Sequence, residues 1–355
     1  MFEVANVNAE GFRAEGGANT SFTNNVFLDQ SKEWDLVLHT PAEVGLDFAN
    51  IYSAGYSVEL NAYGRHTALL SHLHQLYLLA NPAWGAEEEH ELTVEFSVET
   101  LRNQSEYLSN NLLRPILFAR LEMEPKRWLR FSLSSKLLYA WYYDDQPSSS
   151  FDFWGYADVS FTLPSRTTLS PRISYGYRYY PKQDLAVTLD TRDQQFELGI
   201  HSSQALWETT GLQADYIYIW ALGNSGLLLR KITQDQFSYL DQGFLYSGSQ
   251  AMIGIKQLLG ESFTLEFTVR FKEHRFAGWK VLDASGAPTN DDRRDLQLSP
   301  ALGLSYVWPA EGDEEDAAAF HLRVGLEYSF TKQWSNSDWY DASAHSFGFT
   351  IHGSF

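Results

Sequence analysis

Between Phe320 and Phe330 the chain alternates apolar and polar residues without a break, a period of two that dictates a strand with one apolar face. Phe320, Leu322, Val324, Leu326, Tyr328 and Phe330 share one side; His321, Arg323, Gly325, Glu327 and Ser329 share the other. Phe263 to Lys272 repeats the pattern, with Phe263, Leu265, Phe267, Val269 and Phe271 set against Thr264, Glu266, Thr268, Arg270 and Lys272. Leu92 to Val98, Leu129 to Trp141, Leu169 to Tyr179, Phe196 to His201 and Leu296 to Trp308 behave alike. The longer runs reach ~10–13 residues, the length of a tilted strand crossing a bilayer, against the ~5–6 usual in soluble sheets. No stretch approaches the ~20 consecutive apolar residues of a membrane helix. A chain like this crosses a membrane as strands or not at all.

The connections alternate in length. Glu124-Pro125-Lys126-Arg127, Pro164-Ser165-Arg166, Leu206-Trp207-Glu208-Thr209 and Leu259-Gly260-Glu261 read as short turns. Long polar loops are expected between them, near 142–152, 180–194, 221–248 and 273–294. Short turns at one end and long loops at the other mark a transmembrane barrel, the short side being periplasmic. The expected fold is therefore all-β, a transmembrane antiparallel up-and-down β-barrel of about 16 strands (14–18 fit the pattern) with both termini periplasmic. Residues 1–10 are expected as an N-terminal periplasmic segment and 11–355 as a single outer-membrane barrel domain. Tyrosines and tryptophans gather near strand ends: Tyr139, Trp141, Tyr142 and Tyr143; Tyr175, Tyr177, Tyr179 and Tyr180; Tyr216, Tyr218 and Trp220; Tyr306 and Trp308. Such rings are expected to form girdles at the headgroup level. A mean hydropathy of -0.31 beside 20 Tyr, 23 Phe and 11 Trp fits a wall with one apolar and one wet face.

The formal net charge of -19 leaves no basic surface for phosphate backbones, which excludes a nucleic-acid partner. With no cysteine there is neither a disulfide framework nor a thiolate metal site. Met1-Phe2-Glu3-Val4-Ala5-Asn6 lacks the positive start and apolar core of a leader, so the expectation is that one has been trimmed.

If the apolar face meets lipid, the opposite face lines a lumen. The early strands then contribute Glu15, Glu43, Asp47, Glu59, Glu95 and Glu99 against Arg13. The middle ones contribute Arg114, Arg120, Arg130, Lys136, Arg172 and Arg178 against Glu122 and Asp158. Glu197, Asp215, Lys256, Glu266, Arg270, Lys272, Arg323 and Glu327 are mixed. An acidic wall facing a basic one would orient polar solutes in an open pore. Alternatively the two walls pair, bracing a closed barrel in which Arg114, Arg120 and Arg130 satisfy Glu59, Glu95 and Glu99. The acidic turns Glu87-Glu88-Glu89 and Glu311-Gly312-Asp313-Glu314-Glu315-Asp316 are solvated tips first, partner or calcium sites second, since the spaced ligand pattern of a calcium loop is missing. His66, His72 and His74 with Ser71, and His274 with Asp291 and Asp292, are the only groupings suited to hydrolysis. Neither has a spacing that dictates catalytic geometry, and no catalytic residue, metal site or cofactor is expected.

The last strand alternates Phe347, Phe349 and Ile351 with Gly348, Thr350 and His352 and ends on Phe355. It resembles the terminal strand by which outer-membrane proteins are recognised by the barrel-assembly machinery, with Gly353 at an apolar position. Gly11 to about Ala83 carries Asn24-Asn25-Val26-Phe27, Trp34-Asp35-Leu36-Val37-Leu38 and the Tyr52-to-Tyr63 strand. This region resembles the β-barrel porins found with exopolysaccharide export and other envelope machinery. The resemblance implies a non-enzymatic outer-membrane barrel of a Gram-negative bacterium, in contact with bilayer and lipopolysaccharide. It also implies a periplasmic or outer-membrane protein partner, here a separate chain because the helical repeats of many relatives are missing. The expected role is a conduit in a multi-protein envelope system, polysaccharide export being the leading case. A structural anchor with a plugged lumen and a general diffusion porin are the alternatives, and an outer-membrane hydrolase ranks behind both.

Overall fold

The computed structural model describes residues 9–25, 33–48, 51–85, 89–103, 108, 111–144, 149–181, 192–222, 246–282, 288–308, 321–337 and 340–354. The chain runs through β1 (Ala9–Thr23), β2 (Asp35–Phe48), β3 (Tyr52–Tyr63), β4 (Ser71–Ala80), β5 (Ala83–Trp84) and β6 (His90–Asn103). It continues through β7 (Leu112–Lys126), β8 (Leu129–Tyr142), β9 (Ser150–Thr162), β10 (Thr167–Tyr179), β11 (Arg192–Trp207) and β12 (Thr210–Ala221). The last five are β13 (Gly248–Leu259), β14 (Phe263–Leu282), β15 (Pro288–Trp308), β16 (His321–Ser335) and β17 (Ala342–Ser354).

Apart from β4 and β5, which do not pair with each other, each strand pairs antiparallel with its sequence neighbours, and β17 returns to β1 through Glu15↔Ser354 to Thr23↔Ser346. Both β4 and β5 lie on β6, the break falling at Asn81-Pro82, where proline has no N–H to give the ladder. They form one stave, so the closed barrel has 16 strands. Closure removes the free edges that lipid would leave unsatisfied.

The convex face is set by alternation. Leu76 (62% exposed), Ile253 (60%) and Leu326 (58%) stand out from the wall among many large apolar neighbours of the same phase. The opposite phase points into the concave side, where side chains converge. Tyr77 of β4 lies over Gly55 of β3, close enough that a Cβ there would sit 2.3 Å from its hydroxyl oxygen. From there Tyr77 donates to Glu43 on β2 (2.6 Å) and accepts from Arg13 on β1 (2.7 Å). Trp154 similarly covers Gly176, its partner in register. Bare backbone at these positions makes room for a ring.

Short turns do fall at the end that carries the termini: Arg127-Trp128, 163–166, Glu208-Thr209 and 260–262. Arg166 (φ 59°) and Gly260 (φ 71°) supply their left-handed corners. Two expectations need correction. Residues 273–282 and 288–294 are not loop but strand, the outer parts of β14 and β15 (20 and 21 residues), which pair with each other there. Beyond the membrane-spanning part of the wall both faces of paired strands are wet, so no apolar stripe betrays them; Lys280–Asp292 (2.8 Å) and Arg294–Glu273 (2.7 Å) tie them instead. Nor do all terminal rings join the girdle. Trp141, Tyr175 and Tyr179 face out, but Tyr142 (7%) and Tyr180 (3%) have the other phase and are buried inside.

Candidate functional site

The concave face divides along the barrel axis. Toward the end with the termini, most inward positions are charged, hydroxylated, amide or glycine, with Leu79, Phe118 and Val307 among the exceptions. Three niches open along this part of the wall. One, of about 360 Å³, is bounded by Arg120, Ser132, Asp158, Arg172, Ser174 and Glu197. A second, of about 460 Å³, lies between Glu266, Arg323, Glu327, Thr350 and His352. The third, about 160 Å³, is acidic, with Glu15, Glu43 and Glu59 around Gln75 and His352.

Ion pairs form along the wall and not across it. Arg13 meets Glu43 (3.3 Å), Arg114 donates to Glu99 (2.7 Å), and Arg130 reaches Glu124 (3.1 Å). Arg120 pairs with Glu122 on its own strand. Among the described residues every ion pair joins neighbours on one strand, on adjacent strands or at a loop. The expected bracing of Glu59 and Glu95 by Arg120 and Arg130 is therefore absent, because each arginine has a carboxylate closer at hand. Lys136, Arg172, Arg270 and Arg323 share no ion pair with any described residue, nor do Glu59, Glu95, Glu266 and Glu327. The basic arc is also less basic than the sequence suggests. Asp152 and Glu124, outside the expected lumen set, neutralise Arg178 and Arg130.

Toward the loop end the interior fills. Leu101, Leu112, Ile116, Leu138, Ala140 and Tyr142, all inward on β6, β7 and β8, form a buried apolar cluster that Leu73 joins. Tyr180, Ile219, Tyr246 and Phe276 form a second one on the arc from β10 to β14. Between them sits a buried polar network. Arg178 grips Asp152 with two hydrogen bonds (2.8 and 2.6 Å), both side chains under a tenth exposed. Tyr180 donates to Asp193 (3.1 Å), and Gln195 donates to Glu197 (2.5 Å). Further round, Arg293 pairs with Asp295 and stacks on Tyr340, its guanidinium carbon 3.3 Å from the ring centre. A bidentate pair out of water holds only if its geometry is good, as it is for Arg178 and Asp152. Inward side chains are thus mostly polar and accessible toward the terminal end, and packed and buried toward the loop end.

The histidines of the expected groupings are drawn to separate partners. His66 is held by Asp35 and Glu33 (2.6 Å each), and Asp35, fully buried, also accepts the backbone N–H groups of Leu36, Arg65 and His66. This clasp fixes the β3–β4 loop onto the start of β2. His72 and His74 bond to each other on the outer face, apart from His66. His274 stands opposite Asp295 in register and lies against Tyr246 with its ring tilted (centroids 3.9 Å apart), whereas Asp292 is drawn to Lys280. Burial disfavours a charged His66 ring, but the hydrogen bonds and charges of Asp35 and Glu33 outweigh it and raise the pKa above 6.5. A raised folded pKa means the clasp contributes its full stability below the unfolded value of about 6.5 and loses it as pH rises through the folded value. Hydrogen exchange at the amides of Leu36, Arg65 and His66 is expected to be slow at pH 5.5. Beyond the intrinsic base dependence, it is expected to quicken by pH 8.5, and Asp35→Asn is expected to abolish the difference.

Phe347, Phe349 and Ile351 lie outward on β17, paired with β1 and β16; Phe355 is outside the described residues, as are Glu87, Glu88 and the acidic turn 311–316. β1 begins at Ala9, within the stretch expected as an N-terminal segment.

No family model matches the chain, and no curated protein does. Among solved structures it is similar to a bacterial polysaccharide outer membrane secretin, with a TM-score of 0.52 and 9% identity over 96% of this chain and 97% of that one. It is similar as well to OccD3 (OpdP) of Pseudomonas aeruginosa, at TM-score 0.50 and 10% identity over 99% and 92%. CdiB from Acinetobacter baumannii gives TM-score 0.56 and 11% identity over 96% of this chain but only 60% of its own length. At such identities the likeness is one of fold, that of an outer-membrane β-barrel.

Proposed function

We propose that this chain is a non-enzymatic outer-membrane conduit, with its termini in the periplasm and its long loops at the cell surface. The observation that carries the reading is the direction of the ion pairs. An anchor barrel plugged by its own charges would join opposite walls, since buried charges need partners. Here the pairs run along the wall, and Lys136, Arg172, Arg270, Arg323, Glu59, Glu95, Glu266 and Glu327 share no ion pair with any described residue, as suits a wet lumen. With Glu43, Arg114, Arg120 and Arg130 they would form the surface a solute meets. Charge of both signs among hydroxyls suits a long polar cargo that slides past many weak contacts.

Polysaccharide export is the specific case we favour, supported by the resemblance of the first strands to export-associated porins and by a fold like that of a polysaccharide secretin. In that role the chain would pass the barrel-assembly machinery through the strand ending in Phe347, Phe349, Ile351 and Phe355. It would then receive polymer from a separate periplasmic partner. Addition of soluble polysaccharide fragments to the terminal side of a bilayer holding the protein is expected to interrupt ionic current in discrete events. Dwell times are expected to lengthen with fragment size. Current indifferent to fragments of every size, with free passage of single sugars, would favour the general diffusion porin instead.

A further inference from the structure

The outer wall carries an ionic feature that a lipid-facing surface has no use for. From β2 to β10 no outward position is a carboxylate, and most are apolar or aromatic. Toward the loop end of this arc, three outward positions break the rule together. His72 and His74 follow one another on the outer phase of β4, and Arg102 of β6 stands opposite His72 in register. Arg102 is exposed, its guanidinium carbon 4.7 Å from the ring centre of Tyr143, and it shares no ion pair with any described residue. The histidines are ordered by a short chain of hydrogen bonds, Tyr56 Oη to His74 Nδ1 (2.5 Å) and His74 Nε2 to His72 Nδ1 (2.7 Å). When Tyr56 donates into that chain, the Nε2–H of His72 is left as an outward donor beside the guanidinium. Trp141 flanks the group, 5.3 Å from Tyr143, at the height where girdle rings sit.

We propose that His72, His74 and Arg102 form a binding site for the phosphate of an outer-leaflet glycolipid headgroup. A cation bared at the lipid boundary is costly unless an anion meets it, and phosphate takes a guanidinium and an N–H as charge-assisted donors. The same guanidinium repels a metal ion, which rules against the two histidines as a cation site. In a chain of net charge -19 such a patch is out of keeping with the whole and needs a local reason. Glycolipid, as opposed to glycerophospholipid, follows from the loop end facing the cell surface, so the site rests on that part of the proposed topology.

The test is native mass spectrometry of the delipidated full chain and of the His72→Gln/Arg102→Gln variant, titrated separately with bisphosphorylated lipid A, dephosphorylated lipid A, phosphatidylglycerol and inorganic phosphate. Heat-modifiable migration confirms that the variant is folded, and Arg102→Lys serves as a milder substitute if it is not. The site predicts that the wild type prefers bisphosphorylated lipid A and that the variant binds it on the order of tenfold more weakly. Equal binding of the two lipid A forms, or a variant as avid as the wild type, would overturn it. Preference for phosphatidylglycerol would overturn the glycolipid assignment together with the sidedness, and displacement of lipid A by equimolar inorganic phosphate would reduce the patch to an adventitious ion site.

Discussion

Replacing Asp152 by alanine is expected to destabilise the barrel by about 3–5 kcal/mol, because it leaves the Arg178 guanidinium buried without its carboxylate. The pair is doubly hydrogen-bonded and nearly sealed from water. The penalty comes from a buried charge deprived of its doubly bonded carboxylate more than from the lost attraction, and a double substitution tells the two apart. Removing both charges with Asp152→Leu and Arg178→Met is expected to cost much less than either single change. Denaturant unfolding in detergent micelles checks the three variants against the parent. If the double variant is as unstable as the sum of the singles, the loop end is packed by something other than this pair.

The second large effect lies on the opposite face. Ile253, in the middle of β13, is 60% exposed on the convex side, and Ile253→Arg is expected to cost about 2–4 kcal/mol in a bilayer. Ser305, bordering the second niche, has the inward phase, and Ser305→Arg is expected to be nearly neutral. The control must be chosen with care. Thr268 shares the inward phase, yet it is 5% exposed, with its methyl against the space above Gly254, so an arginine there would overpack the wall. Equal damage from Ile253→Arg and Ser305→Arg, measured by folding into lipid vesicles, would mean that the two faces are not lipid and water.

Strand count, pairing order and face assignment were legible because a lipid-facing wall imposes period two on every strand, as in Phe263 to Phe271 and Phe320 to Phe330. What was not legible is where the interior fills. The signal exists in hindsight: Leu137-Leu138-Tyr139-Ala140-Trp141-Tyr142 and Ile217-Tyr218-Ile219-Trp220 lose their alternation toward the loop end. Residues of the inward phase, Leu138, Ala140, Tyr142 and Ile219, turn apolar and buried there. The same run was readable as an aromatic girdle, and only the phase within it separates Trp141 outside from Tyr142 inside. Asp152 lies at the edge of an expected loop, although Phe151-Asp152-Phe153 already alternates. Pairing partners were beyond reach for a different reason. Sequence shows which charges share the lumen, but Arg120 choosing Glu122 depends on rotamers and on distances of a few ångströms.

The central claim is a bilayer-spanning barrel whose lumen is wet toward the terminal end and narrowed toward the loops. Single-channel recording in planar bilayers addresses it most directly. The account predicts discrete conductance steps from the full chain. In a salt gradient, neutralising Arg172, Arg270 and Arg323, which pair with no described carboxylate, to glutamine should move the reversal potential toward cation preference while leaving thermal resistance unchanged. A folded, inserted protein that carries no current, or one in which the triple change lowers heat resistance without touching selectivity, would contradict it.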